Sequence, residues 1–213
     1  MTVVPDSPWS YQPQSSTAEA LALTDLWRQR YPDSRPIGDE LKYSVNSRWI
    51  RFHSLPQSKR YADTEAEYAE ILLRHTTLLR ELVEPSDGEG KLRDLLVVTE
   101  SWSQSPLLVP RDERVVAVSP DGWPWISIQV EDDDEIWTHL FVDHVDLLDP
   151  RLAALLRLVA DDEVEGVIVA DQQLTWLYHP YDGGADVIAP TTEDRDKLKA
   201  QHPKWLSKHG AGL

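Results

Sequence analysis

The residues best suited to do chemistry are five cations in one short segment. Between Leu41 and Ala62 the chain places Lys42, Arg48, Arg51, Lys59 and Arg60 with no Asp or Glu, in a protein of net charge -16. Arg48 and Arg51 are three apart and Lys59 adjoins Arg60, so their donors can fork around a carboxylate or phosphate, with His53 beside them and Trp49 as a stacking face. The competing expectation is internal neutralisation by Asp63, Glu65 and Glu67, which follow directly. The opposite concentration is Glu131 to Glu135, five consecutive acids close to Trp123, Trp125 and Trp137. Such a run is ordinarily a solvated loop, but beside exposed indoles it gives a basic partner an anionic rim with aromatic anchors. Trp123, Trp125, Asp132, Asp133, Asp134, Glu135 and Trp137 are therefore the expected partner-binding residues. Arg48, Arg51, His53, Lys59 and Arg60 form the alternative anion-binding set, onto which His179 or a carboxylate would have to converge.

The histidines offer less. His179 lies in WLYHPYDGGADVI, where Pro180 favours extended backbone and Gly183–Gly184 permit a reversal, so a hairpin explains the segment and no nucleophile or ligand spacing singles out His179, Asp182 or Asp186. His139 and Asp143 share one face of a strand from which His144 points away, so the two imidazoles do not converge on a metal. His75 falls on the apolar stripe of a helix, where a neutral ring bonded to a hydroxyl is expected. Ser54 and Ser58 lack a nucleophile elbow. With no Cys there is no thiol nucleophile, disulfide or thiolate metal site, and we expect no cofactor, no metal and no catalytic centre. The acidity disfavours nucleic acid and anionic membranes, and the chain has neither a secretory start nor an apolar run of spanning length; a soluble, cytoplasmic protein is expected.

The elements that must position these groups follow from periodicity. Hydrophobic residues at 41% and charged residues at 27% describe a globular domain. Residues 1–15 form an extended arm; residues 16–213 form one domain, with two coupled lobes, 16–85 and 91–213, as the alternative. Ser16 with Glu19 has capping-box spacing for a first helix. A strand at 48–53 puts Trp49, Arg51 and His53 on one face. A long helix spans about 63–83, ended by Pro85, and PSDGEG is the turn that divides the lobes. Strands follow at 94–99, 114–118, 123–130 and 136–145, with a turn at Ser119 to Gly122. Asp149 and Pro150 start a helix, a hairpin joins 165–170 to 174–178, a short strand covers 185–189, and Thr191 or Thr192 caps a final helix. The fold class is α+β, a mainly antiparallel sheet flanked by three or four helices.

Two blocks, WLYHPYDGGADVI at 176–188 and RFHSLPQSKRYADTEAEYAEILLRH at 51–75, resemble a bacterial family of uncharacterised proteins, the domain of unknown function 3885. The resemblance implies a bacterial cytosolic protein of mixed α/β structure and supplies no catalytic residues. Small acidic proteins of this type are common among immunity proteins, so the expected function is non-catalytic binding of a protein, as an inhibitor of a basic toxin or effector. The alternative is a small enzyme or sensor that binds an anionic ligand at Arg48 to Arg60.

Overall fold

Alternating and wholly apolar runs build one antiparallel sheet, around which the helices pack on both faces. The computed structural model describes residues 10–44, 47–83, 94–129 and 136–206. In chain order the elements are β1 (Tyr11–Pro13), α1 (Ala18–Arg30), a 3-10 turn (Gly38–Glu40), α2 (Leu41–Ser44), β2 (Trp49–His53), α3 (Glu65–Val83), β3 (Asp94–Ser103) and α4 (Glu113–Val118). Then come β4 (Trp123–Gln129), β5 (Trp137–Asp146), α5 (Pro150–Ala160), β6 (Ile168–Asp171), β7 (Leu177–Tyr181), β8 (Gly184–Ile188) and α6 (Thr192–Gln201). The eight strands run in the order β1-β4-β5-β3-β6-β7-β8-β2. The class is α+β, as expected. The PSDGEG turn and residues 1–9 lie outside the described residues.

Strand alternation divides the core in two. Leu95 and Val97 of β3 join Leu78, Leu79 and Leu82 of α3 and Leu152, Leu155, Leu156 and Val159 of α5 on one face. Leu96 and Val98 join Trp27, Tyr31 and Trp125 on the other, under α1. Capping sets the helix starts. Asp149 accepts the Arg151 N–H ahead of Pro150, as expected, and Thr191 accepts the Asp194 N–H. The cap of α1 is Thr17, one residue beyond Ser16, its hydroxyl accepting the Ala20 N–H.

One element differs in kind. Residues 114–118, expected as a strand from their valines, form helix α4, because Asp112 accepts the Arg114 N–H and turns the chain into a helical start. A local cap here overrides the weak β preference of Val115 and Val116. Strand β2 is an edge strand paired with β8, and the C-terminal segment covers its outer side: the His53 N–H donates to the Trp205 carbonyl at 2.7 Å.

Candidate functional site: a groove where the sheet is incomplete

The site originates in unequal strand lengths. All ten residues of β3 pair with β5, but only Leu95 to Val98 pair with β6. Beyond Val98 the β6 side of β3 is left to the loop that leads from α5 to β6, which carries Asp161, Asp162, Glu163 and Glu165. Two hollows, of about 280 and 510 Å³, flank this loop, and Asp162, Val164 and Glu165 line both.

The smaller hollow is floored by a row of polar side chains set by register. Arg51 of β2 pairs with Asp186 of β8, which pairs with His179 of β7, so all three project to one face. The Arg51 Nε and Nη2 each donate to one Asp186 oxygen at 2.7 Å; the Arg51 side chain is 17% exposed and that of Asp186 2%. This fork is the first cause that pushes the Arg51 guanidinium up from its ordinary value. Arg51 also lies over the rings of Trp49 and Tyr181.

His179 is 2% exposed. Its Nδ1 donates to the Val167 carbonyl at 2.8 Å, and its Nε2 is buried. Asp39 Oδ1 is 3.4 Å away, near enough that His179 is the first cause holding the Asp39 carboxyl below its ordinary value, yet beyond normal hydrogen-bond length. Gly38 makes this approach possible, because a Cβ there would overlap the His179 ring.

Glu100 lines the larger hollow. It lies over Gly166, whose φ of +69° suits glycine and where a Cβ would collide with the Glu100 carboxyl. Burial pushes that carboxyl up to about 7; His179 opposes the rise, while Asp39 and Glu165 reinforce it. Two residues on, Trp102 lines the larger hollow with its side chain 72% exposed. Together the hollows are lined by eight carboxylates and five Lys or Arg side chains. Asp186, Asp182, Asp112 and Glu163 are paired with Arg51, Arg60 and Arg114. Asp39, Glu100, Asp162 and Glu165 have no Lys or Arg ion pair among the described residues.

Four of the five cations of the basic island are engaged internally. Lys59 pairs with Asp63 and Glu67, and Arg60 with Asp182. Arg48 donates to the carbonyls of Thr175, Ala189 and Pro190. His53 faces Arg51 and Arg74, which together with burial lower its pKa. Of the island, Lys42, Arg51 and Arg60 reach the smaller hollow; Arg48, His53 and Lys59 do not line it.

The expected aromatic anchors divide differently. Asp132, Asp133, Asp134 and Glu135 lie outside the described residues. Trp125 is a core residue, 1% exposed, its indole N–H donating to Thr24 Oγ1 at 2.8 Å, and its ring has no surface to offer a partner. Trp123 is half-buried against the α1 core, and Trp137 is half-buried at the start of β5. His75 and His139 are held in core contacts. His75 Nδ1 and Nε2 meet Tyr178 Oη at 2.5 Å and Ser54 Oγ at 3.3 Å, and burial lowers its pKa to about 4. Because Ser54 is buried, the Ser–His pair is a core contact without access to substrate. His139 is held between Ser103 and Ser127. Among the described residues no cluster of His, Asp and Glu is arranged to hold a metal ion, and no helix is long and apolar enough to cross a membrane.

The residues missed from sequence are Asp39, Glu100, Trp102, Asp162 and Glu165. Glu100 left a signal: it continues the parity of Leu96 and Val98 in an apolar strand, which marks a carboxylate carried toward the interior. The groove residues all fall within residues 37–210. No curated protein and no solved structure matches the chain. Residues 37–210 match the family model described as a domain of unknown function, DUF3885, and the chain belongs to that family.

Proposed function

We propose that the protein is a non-catalytic binding module that engages, and thereby inhibits, a basic protein partner along the groove beside β3. The observation that carries this reading is the sign of the unpaired charge: among the described residues four carboxylates face the groove without a Lys or Arg ion pair, whereas Arg48, Arg51, Lys59 and Arg60 of the basic island are engaged by carboxylates or carbonyls. An anionic ligand at Arg48 to Arg60 would have to displace those partners. A basic partner instead finds unsatisfied carboxylates, and Trp102 beside them supplies a large amphipathic contact. The carboxylates steer encounter, and the indole lengthens residence. A cytoplasmic setting belongs to the same proposal and rests on the cysteine-free composition.

The test is affinity capture with identification of the retained protein, compared across variants. One stoichiometric basic protein should be retained by the native chain and by Asp25→Asn, a control at an exposed position of α1 that lines neither hollow. It should be lost from Trp102→Ala and from the Asp162→Asn, Glu165→Gln double variant. Equal retention by all four proteins refutes the groove as the binding surface.

A further inference from the structure

We infer that the basic partner binds by strand addition: an extended segment of it lies in the larger hollow and pairs, main chain to main chain, with the side of β3 that β6 leaves vacant at Glu100 and Trp102. This deepens the binding reading above and rests on it. The support comes from the peptide groups. Residues of an antiparallel strand turn their N–H and C=O alternately to one neighbour and to the other. Asp171 turns its carbonyl to the β7 side, where it accepts the Leu174 N–H across the β6–β7 turn, and Val167, at the same parity, turns its own to His179 of β7. Ala170 and Ile168 therefore face β3, and Leu96 and Val98, opposite them, face β6. The alternation continues along β3. Thr99, Ser101 and Ser103 bond to β5, whereas Glu100 and Trp102 turn their N–H and C=O to the line along which β6 would continue. Pairing with β6 has ended at Val98, and among the described residues no hydrogen bond reaches those four groups.

An unpaired strand edge is a template for another chain, and the ends of the sheet do not present an equivalent one. The outer side of β2 is covered by the C-terminal segment, and β1 at the opposite end is three residues long. At the β3 gap there is also room. The hollow of about 510 Å³ is lined by Glu100, Ser101 and Trp102 from the strand and by Asp162 to Glu165 from the loop after α5. Pairing with both Glu100 and Trp102 takes about three residues, roughly 10 Å of extended chain. Charge then selects the occupant: Asp162 and Glu165 have no Lys or Arg ion pair among the described residues, so a basic segment is favoured over an acidic one. Side chains on one face of the added segment lie beside the exposed Trp102 indole, which accepts a Lys or Arg over its ring.

The test begins on the free protein. Amide hydrogen exchange followed by NMR should show Thr99 and Ser101 protected by β5, with Glu100 and Trp102 exchanging at least tenfold faster. Equal protection of all four means a closed edge and overturns the proposal. The probe is acetyl-Lys-Val-Lys-Val-Lys-amide, compared with a counterpart N-methylated along its backbone that keeps every charge and side chain but has no backbone N–H. The first peptide should bind saturably, move the Trp102 indole signal, slow exchange at Glu100 and Trp102 at least tenfold, and bind at least tenfold more tightly than the second. The Asp162→Asn, Glu165→Gln double variant should weaken it about tenfold. If the two peptides bind alike, or if binding leaves the Glu100 and Trp102 amides exchanging as before, strand addition falls and the groove stands; if neither peptide binds, both fall.

Discussion

Replacing Glu100 with glutamine should stabilise the protein at neutral and alkaline pH and make no difference in acid. Burial raises the Glu100 carboxyl from 4.5 to about 7, with Asp39 and Glu165 adding to the effect and His179 opposing it. Between those two values the folded protein holds a proton that the unfolded chain has released, so stability falls as pH rises through the window. Once both states are ionised the deficit is about 3 kcal/mol, at 1.36 kcal/mol per pH unit of displacement. Glutamine cannot ionise and removes the deficit. His75 works in the other direction. Burial lowers it from 6.5 to about 4, so the unfolded chain takes up a proton that the folded chain refuses, and stability falls as pH drops through that window by a comparable amount of about 3 kcal/mol.

In the native protein the two slopes oppose each other between pH 4.5 and 6.5, and this part of the stability profile should be nearly flat. In Glu100→Gln only the His75 slope remains, so stability should climb to pH 6.5 and then level off. Urea denaturation at half-unit steps from pH 4 to 8 measures both curves. Their difference isolates Glu100 because every other titrating group is common to the two proteins. It should grow from zero near pH 4.5 to about 3 kcal/mol near pH 7. A pH-independent difference would refute the argument, since it would mean that Glu100 titrates alike in the folded and unfolded chains.

Three further outcomes follow from individual contacts. Asp186→Asn leaves Arg51 in a half-buried position without its carboxylate and should cost about 3–5 kcal/mol by urea denaturation, whereas the Arg51→Met, Asp186→Leu double variant should recover most of that loss. Gly38→Ala drives a methyl group into the His179 ring and should cost about 1–3 kcal/mol while displacing the His179 imidazole signals. The tryptophans should separate cleanly: Trp125→Phe deprives the buried Thr24 hydroxyl of its indole donor and should cost about 1–3 kcal/mol, whereas Trp102→Ala should change stability by less than about 0.5 kcal/mol and weaken partner capture at least tenfold.

Much of the fold is visible in local pattern, and the failures have local causes too. The alternation in Trp49–His53 puts Arg51 on a defined face, and the strand indeed alternates between half-buried and buried residues. The same is true of the Asp149–Pro150 helix start and the hairpin through Asp182, since each depends on residues adjacent in sequence. At 114–118 the valines favoured a strand while the decisive residue was the cap outside the run, Asp112. Partnership is another matter. Nothing near Arg51 indicates Asp186, 135 positions away, and nothing near Arg60 indicates Asp182. The nearest acids, Asp63, Glu65 and Glu67, account for Lys59 but not for either arginine; Glu65 instead pairs with Arg157. Nine tryptophans are more than a core of this size needs to hide, and some rings reach the surface. Which ones do so depends on the packing of α1 over β4, which buries Trp125, and on the open end of β3, which exposes Trp102.

The open end of β3 also explains why the unpaired charge gathers there. A continuous antiparallel sheet leaves little room for ionised side chains between strands, because each inward position is packed by a neighbour. Where β6 stops short, the space beside Glu100 is filled by a loop rather than a strand, and a loop can carry Asp162 and Glu165 at its surface without breaking a ladder. The 3-10 turn then brings Asp39 in from the first third of the chain, held against His179 by the bare Cα of Gly38. Four carboxylates from three separate parts of the sequence thus converge on a gap in the sheet, while Arg51 and Arg60 beside them are neutralised by Asp186 and Asp182. Like charges brought together in this way repel one another, and at Glu100 the repulsion from Asp39 and Glu165 adds to the burial that is the main cause of its holding a proton to about pH 7. A basic group placed among them removes the repulsion, so the charges that weaken the isolated chain are the ones that would hold its partner.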